Sequence, residues 1–156
     1  MLLKKIIEDF EILKFAINGD PVSILTGNEF QKDDTPLTDK VLSFYNEKFN
    51  AMAENPDIGV VILDKRAIKD DIAHGLNALK SAAFMAVPDV IMKGRLYSEC
   101  CSWKERNYDS FVIVAPIQVA DSRCIMSVIV KKSDKQRLYL HRIDVIKSPQ
   151  EVLDQA

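Results

Sequence analysis

The chain has 156 residues, 47% of them hydrophobic and 28% charged, with a formal net charge of −2. That length supports a single domain with a full core, without disulfides or a structural metal, and the composition excludes disorder. No apolar run approaches the length of a bilayer span, and Lys4, Lys5, Glu8, Asp9, Glu11 and Lys14 exclude the uncharged core of a secretory signal from the first segment.

The expected organisation is one domain over residues 1–156, with an N-terminal helix in 1–20, a mainly helical part in 22–92, an antiparallel sheet in 93–147 and a tail in 148–156. Leu3, Ile6, Ile7, Phe10, Leu13 and Ile17 recur at helical spacing, and Asn18-Gly19-Asp20-Pro21 supplies the stop. Val22 to Leu25 reads as extended, Thr26 and Glu29 stand at capping-box spacing, and the polar stretch from Gln31 to Thr35 is a loop. A second helix is predicted from Leu37 to Ala53, with Val41, Phe44, Tyr45 and Phe49 on its stripe and Asn55-Pro56-Asp57 ending it. Ile58 to Leu63 is a strand. Asp64 then caps a helix whose buried stripe runs through Ile68, Ile72, Leu76 and Leu79 to Ala86, before Pro88 interrupts it.

After Gly94 the pattern changes to strands: Arg95 to Tyr97, Asp109 to Val119, Arg123 to Lys132 and Gln136 to Lys147. Pro116 points to an edge or a bulge. The links at Ala120-Asp121-Ser122 and Ser133-Asp134-Lys135 are short enough for hairpins. Helices followed by consecutive strands predict an α+β fold, the helices packed on one face of an antiparallel meander.

Cys100 and Cys101 are adjacent and Cys124 stands apart, so no zinc-ligand spacing exists; they read as small buried hydrophobes in a reducing compartment. Charge is divided along the chain. Residues 1–92 carry 10 Lys/Arg against 15 Asp/Glu, whereas residues 93–147 carry 11 against 6. The sheet-forming part is the basic one, which suits a phosphate-binding surface and equally suits lysines scattered on a solvated sheet face.

Within that basic part, alternation in Arg137-Leu138-Tyr139-Leu140-His141 sends the two leucines to one face and Arg137, Tyr139 and His141 to the other. A guanidinium, a phenol and an imidazole side by side can hold a phosphate and move protons. The same pattern also describes a strand whose outer face is merely polar. The chain has two histidines, His74 and His141, and cutting RNA without a metal needs one base for the ribose 2′-hydroxyl and one acid for the leaving 5′-oxygen. His74 precedes Gly75, where a missing side chain leaves room for a ligand or a neighbouring backbone; a surface histidine is the alternative. Arg106, Arg137 and Lys80 are candidate hydrogen-bond donors to the phosphate, and Tyr108 and Ser110 share a face. Phosphate-binding glycine loops and Gly-x-Ser-x-Gly are absent, and Asp33-Asp34 and Asp70-Asp71 read as solvated charge.

Three stretches in order, His74-Gly75-Leu76 with Lys80, Arg106-Asn107-Tyr108-Asp109-Ser110 leading to Ala115-Pro116-Ile117, and Arg137-Leu138-Tyr139-Leu140-His141, resemble the barnase-EndoU-colicin-RelE-like nuclease domain. That domain occurs in phage polyvalent proteins, phage head-protein C-termini and bacterial contact-dependent toxins. The resemblance covers about Val22 to Val145 and implies an RNase-like fold with the active site on the sheet face opposite the helices. It implies a polar set of eight residues, of which His141, His74, Arg137, Tyr139 and Ser110 are expected to be catalytic and Arg106, Tyr108 and Lys80 to bind substrate, with neither metal nor cofactor expected.

The function expected is metal-independent cleavage of RNA, tRNA included, by 2′-hydroxyl attack. The expected setting is the bacterial cytoplasm, reached in some cases as part of a larger delivered protein, with an acidic immunity or neutralising protein as partner. Two alternatives stay open: a non-catalytic module of a phage or mobile element that binds nucleic acid or protein, and a toxin enzyme acting on NAD or another nucleotide.

Overall fold

The computed structural model describes residues 10–30, 33–100 and 110–147. Its elements are α1 (Phe10–Asn18), β1 (Ile24–Leu25), α2 (Leu37–Phe49), β2 (Met52–Asn55), β3 (Gly59–Ile62), α3 (Lys65–Ala73), α4 (Ala78–Ala83), a 3₁₀ turn (Phe84–Ala86), α5 (Val87–Lys93), β4 (Arg95–Cys100), β5 (Ser110–Val119), β6 (Ser122–Lys132) and β7 (Leu138–Ile146). The fold is α+β, as its sequence pattern predicts. No described helix is long and apolar enough to cross a membrane.

The sheet is mixed, a correction to the all-antiparallel expectation. β4, β5, β6 and β7 do pair antiparallel in sequence, but β1 joins β5 in parallel and β3 joins β7 in parallel, with β2 outside β3, giving the order β1-β5-β6-β7-β3-β2 and β4 also on β5. Pro116 belongs to a central strand, yet it falls between the two partners of β5: β4 reaches only Val114, and β1 begins opposite Gln118. Its carbonyl accepts from the Val22 N–H at 2.9 Å, so the N–H that proline lacks falls where no ladder partner requires it.

Helices cover both faces, which corrects the one-sided arrangement. Alternation along β5 and β6 sends Ile113, Ala115, Ile117, Cys124, Met126, Val128 and Val130 into the main core, against Val41, Tyr45, Phe84, Val87 and Ile91 from α2 to α5. The opposite residues Val112, Val114 and Ile125 bury against Ile12 and Ala16 of α1. Arg123 fastens that helix by donating to the carbonyls of Ala16 and Gly19, where the helix dipole favours a cation. Residues 1–9 of the expected first helix lie outside the described residues.

Two helical boundaries also differ from expectation. α2 stops at Phe49 because Asn50 and Ala51 both take positive φ, and the chain turns back as strand β2, paired with β3. Asn55 closes the next turn by accepting from the N–H groups of Asp57 and Ile58 while donating to the Ile91 carbonyl at 2.9 Å. The helix expected from Asp64 to Ala86 is divided. Gly75 takes φ +135, a region closed to other residues, and Asn77 caps α4 by accepting from the Lys80 N–H at 2.8 Å. Pro88 starts α5 rather than breaking a helix, since an N–H at that position has no intrahelical partner. Leu76, expected in the buried stripe, is 45% exposed in the turn between helices.

At Thr26 and Glu29 half of the reciprocal bonding of a capping box is present: the Glu29 carboxylate accepts from the Thr26 N–H, while the Thr26 hydroxyl accepts from the Asn28 N–H at 3.1 Å. Burial alone would raise the Glu29 carboxyl, but donation from the Thr26 N–H and hydroxyl and the Gly27 N–H holds it below the usual range.

Candidate functional site

β7 carries the chemistry, and one irregularity shapes it. Leu138, Leu140 and Ile143 all enter the core, although strict alternation would send Ile143 to the other face. The ladder shows why: Ile129 of β6 faces Arg142 and Val130 faces Leu140, so His141 is an extra residue on β7. This β-bulge keeps both His141 and Arg142 out of the core, each half-buried beside the other.

β3 pairs with β7 only as far as Tyr139, and beyond it the C-terminal end of α3 takes the place of a strand. Asp71, 2% exposed, bridges the two. Its Oδ2 accepts from the Ile143 N–H at 2.9 Å, and its Oδ1 accepts from Lys80 Nζ at 2.8 Å. Lys80 Nζ also donates to the Asp71 carbonyl at 3.2 Å. The buried Tyr45 sits near this carboxylate; burial first, then the Asp71 charge, push its phenol well above its ordinary value, so it stays protonated and donates to the Phe84 carbonyl at 2.6 Å.

The same clamp brings the two histidines into one neighbourhood. His74 caps the C-terminus of α3, its N–H shared between the Asp70 and Asp71 carbonyls at 3.2 Å, with its side chain exposed. Gly75 has open space around it, so its positive φ, rather than a close approach, accounts for the glycine. Burial, followed by the charges of Lys131, Arg142 and His74, holds the His141 imidazole down to about 4, against a weaker pull upward from Asp70. At neutral pH His141 is therefore uncharged and able to accept a proton.

Across the sheet, the register sets Ser110 opposite Lys131 and Lys131 opposite Tyr139, one row on the face away from the main core. Ser110 is buried, and its hydroxyl, the Ser127 hydroxyl and Arg142 Nε have no hydrogen-bond partner among the described residues. The sequence-predicted set is thus partly assembled: His74 is near enough for its charge to act on His141, and Tyr139 and Ser110 share a row with Lys131 between them.

Others stand apart. Arg137 is exposed in the β6–β7 turn just outside the strand, its carbonyl accepting from the Ser133 N–H at 2.8 Å and its own N–H donating to Ser133 Oγ at 3.2 Å. Lys80 spends its charge on Asp71. Arg106 and Tyr108 lie outside the described residues. Lys131, Arg142 and Asp70 are the neighbours that sequence reasoning missed. The available signal was Arg142 itself, a cation at what alternation makes an inward position, followed by Ile143.

Among the described residues, no group of three His, Cys, Asp or Glu side chains could hold a metal ion. A cleft of about 440 Å³ is lined by Phe30, Leu37, Leu76 and Ser81 among others, and includes the Asp33–Lys40 ion pair at 2.9 Å; none of the groups around His141 lines it. The fold and site define an α+β protein with a bulged histidine in a cationic setting beside a helix C-terminus. Comparison with protein-family models, with curated proteins and with solved structures finds no match for this chain.

Proposed function

We propose that this protein is a metal-independent endoribonuclease of the barnase-EndoU-colicin-RelE-like type, working at His141. The observation that supports it most is the electrostatic setting of the half-buried His141 imidazole, on which the charges of Lys131, Arg142 and the sequence-distant His74 all act. In the proposed reaction neutral His141 takes the proton of the ribose 2′-hydroxyl. The 2′-oxygen then attacks phosphorus, the bond from phosphorus to the 5′-oxygen breaks, and His74 protonates that leaving oxygen. Lys131 and Arg142 oppose the charge that builds on the phosphorane, and Tyr139 orients the substrate, whereas the buried Ser110 hydroxyl is out of a substrate's reach.

The low proton affinity of the free imidazole fits this cycle. The cations that disfavour a third positive charge are those that attract a phosphate, and a bound phosphate would offset them and raise His141 toward the working range of a base. Lys80 is better read as a support for Asp71 than as a substrate ligand. The deciding assay is RNA cleavage in excess EDTA, with loss of 2′,3′-cyclic phosphate product in His141→Ala. Cleavage that requires metal, or that survives this substitution unchanged, rejects the proposal. Salt-sensitive RNA binding without cleavage would instead favour a binding module.

A further inference from the structure

α1 covers the β5 and β6 part of its sheet face, while the β7-β3-β2 part carries exposed apolar side chains. The register is continuous: Tyr139 lies beside Ile62 and Ile62 faces Met52, with Val60 on the same face one step along β3. Met52 is 46% and Val60 47% exposed. Single exposed apolar residues need no explanation, but a contiguous group beside an aromatic ring marks a binding surface. Its charges are ordered. Lys131 lies on the β6 side of Tyr139 and Arg137 stands at the turn end of β7, whereas Glu54 lies opposite Val60 at the far margin and Asp144, exposed on the same face, lies beyond Arg142 at the other end of β7.

We infer that this patch is a platform for the bases of a single-stranded nucleic acid, with phosphates at the Lys131 and Arg137 end of β6 and β7 and bases laid over Tyr139 toward Ile62, Val60 and Met52. Cations on one side and apolar surface on the other match a strand whose charge and ring faces are likewise on opposite sides, and an acid at the margin repels the reverse placement. An apolar protein partner would not require that order. Tyr139 is two residues from His141, about 7 Å along a strand. A base stacked there belongs to a nucleotide adjoining the phosphate that His141 would face. The inference rests on the nuclease reading for the position of that phosphate, but its binding surface is separable from catalysis.

The test uses a fluorescent 2′-deoxy hexanucleotide, which has no 2′-hydroxyl and stays intact under the proposed chemistry, with anisotropy as the readout and circular dichroism confirming each variant's fold. Tyr139→Ala should weaken binding roughly 5- to 100-fold without changing its salt dependence, and Tyr139→Phe should restore it. Val60→Glu, at an exposed position, should weaken it comparably. Arg137→Ala should reduce the slope of log affinity against log salt by about 0.7. Binding unaffected by Tyr139→Ala and Val60→Glu overturns the platform even where RNA is cleaved. So does failure to bind combined with self-association through Val60, which would assign the patch to a protein. Tyr139-dependent binding by a protein that leaves RNA whole retains the platform and removes the nuclease.

Discussion

Acid titration of stability tests the electrostatics of His141 without any substrate. In the folded protein the imidazole is held down to about 4, against an ordinary value of 6.5, so the unfolded chain takes up this proton first as pH falls. Between those values the unfolded state carries more protons, and stability must decrease from the upper one to the lower one and level off below it. A shift of that size corresponds to about 3 kcal/mol at full strength. His141 is half-exposed, and solvent screening reduces this to about 1–2 kcal/mol. Roughly 1 kcal/mol of it should be visible between about pH 7 and about pH 5, above the range where most carboxylates titrate. Urea unfolding of the native protein and of His141→Gln at both pH values measures it: the native chain should lose that stability on acidification and the variant should not. Equal losses in the two proteins would refute the account of His141 as a histidine kept neutral by burial and cationic neighbours.

Other outcomes follow from particular contacts. Asp71→Ala strands the Lys80 ammonium and the Ile143 N–H in the interior and should cost about 3–5 kcal/mol in urea unfolding, whereas Lys80→Met in that background should recover part of it. Ala120, with φ 52 in the β5–β6 turn, should gain about 0.5–1 kcal/mol of thermal stability as Ala120→Gly, because relief of left-handed strain exceeds glycine's added unfolded-state entropy. Gly94→Ala brings a Cβ to 2.4 Å from the Val90 carbonyl and 2.7 Å from Ile113, with backbone on one side, and should lower the melting temperature by several degrees, equivalent to about 2 kcal/mol. Tyr45→Phe removes one of the two donors to the Phe84 carbonyl, which keeps the Val87 N–H, and should cost about 1 kcal/mol by the same unfolding measurement.

The meander was legible because β5, β6 and β7 carry long β-branched and alternating runs, a local signal that needs no knowledge of neighbours. β2 was not, since Met52-Ala53-Glu54-Asn55 has no strand-forming residue and is held as a strand by its pairing with β3. Parallel pairing was hidden for a related reason: nothing local in Ile24-Leu25 or Gly59–Ile62 specifies which distant strand it joins. At the site, period-two alternation identified Tyr139 and His141 as off the core, but it carried Arg142 inward. A single inserted residue reverses every later assignment on the strand, which is how one of the closest cations to His141 escaped notice. The electrostatic reach of His74 to His141 depends on Asp71 holding the end of α3 to a backbone amide of β7, a tertiary contact with no trace in spacing.

The parallel joints at β1 and β3 also govern how the chain must fold. Each takes a strand from the first half and seats it against one from the second, on opposite flanks of the hairpin series. The C-terminal hairpins can form from neighbours in sequence, but their outer rims stay raw until distant segments arrive, and closing such wide loops is slow. A fragment beginning at β4 would therefore present two open rims able to recruit foreign strands, so cutting the polypeptide between its helical and sheet-rich halves should yield an aggregating piece rather than a working module.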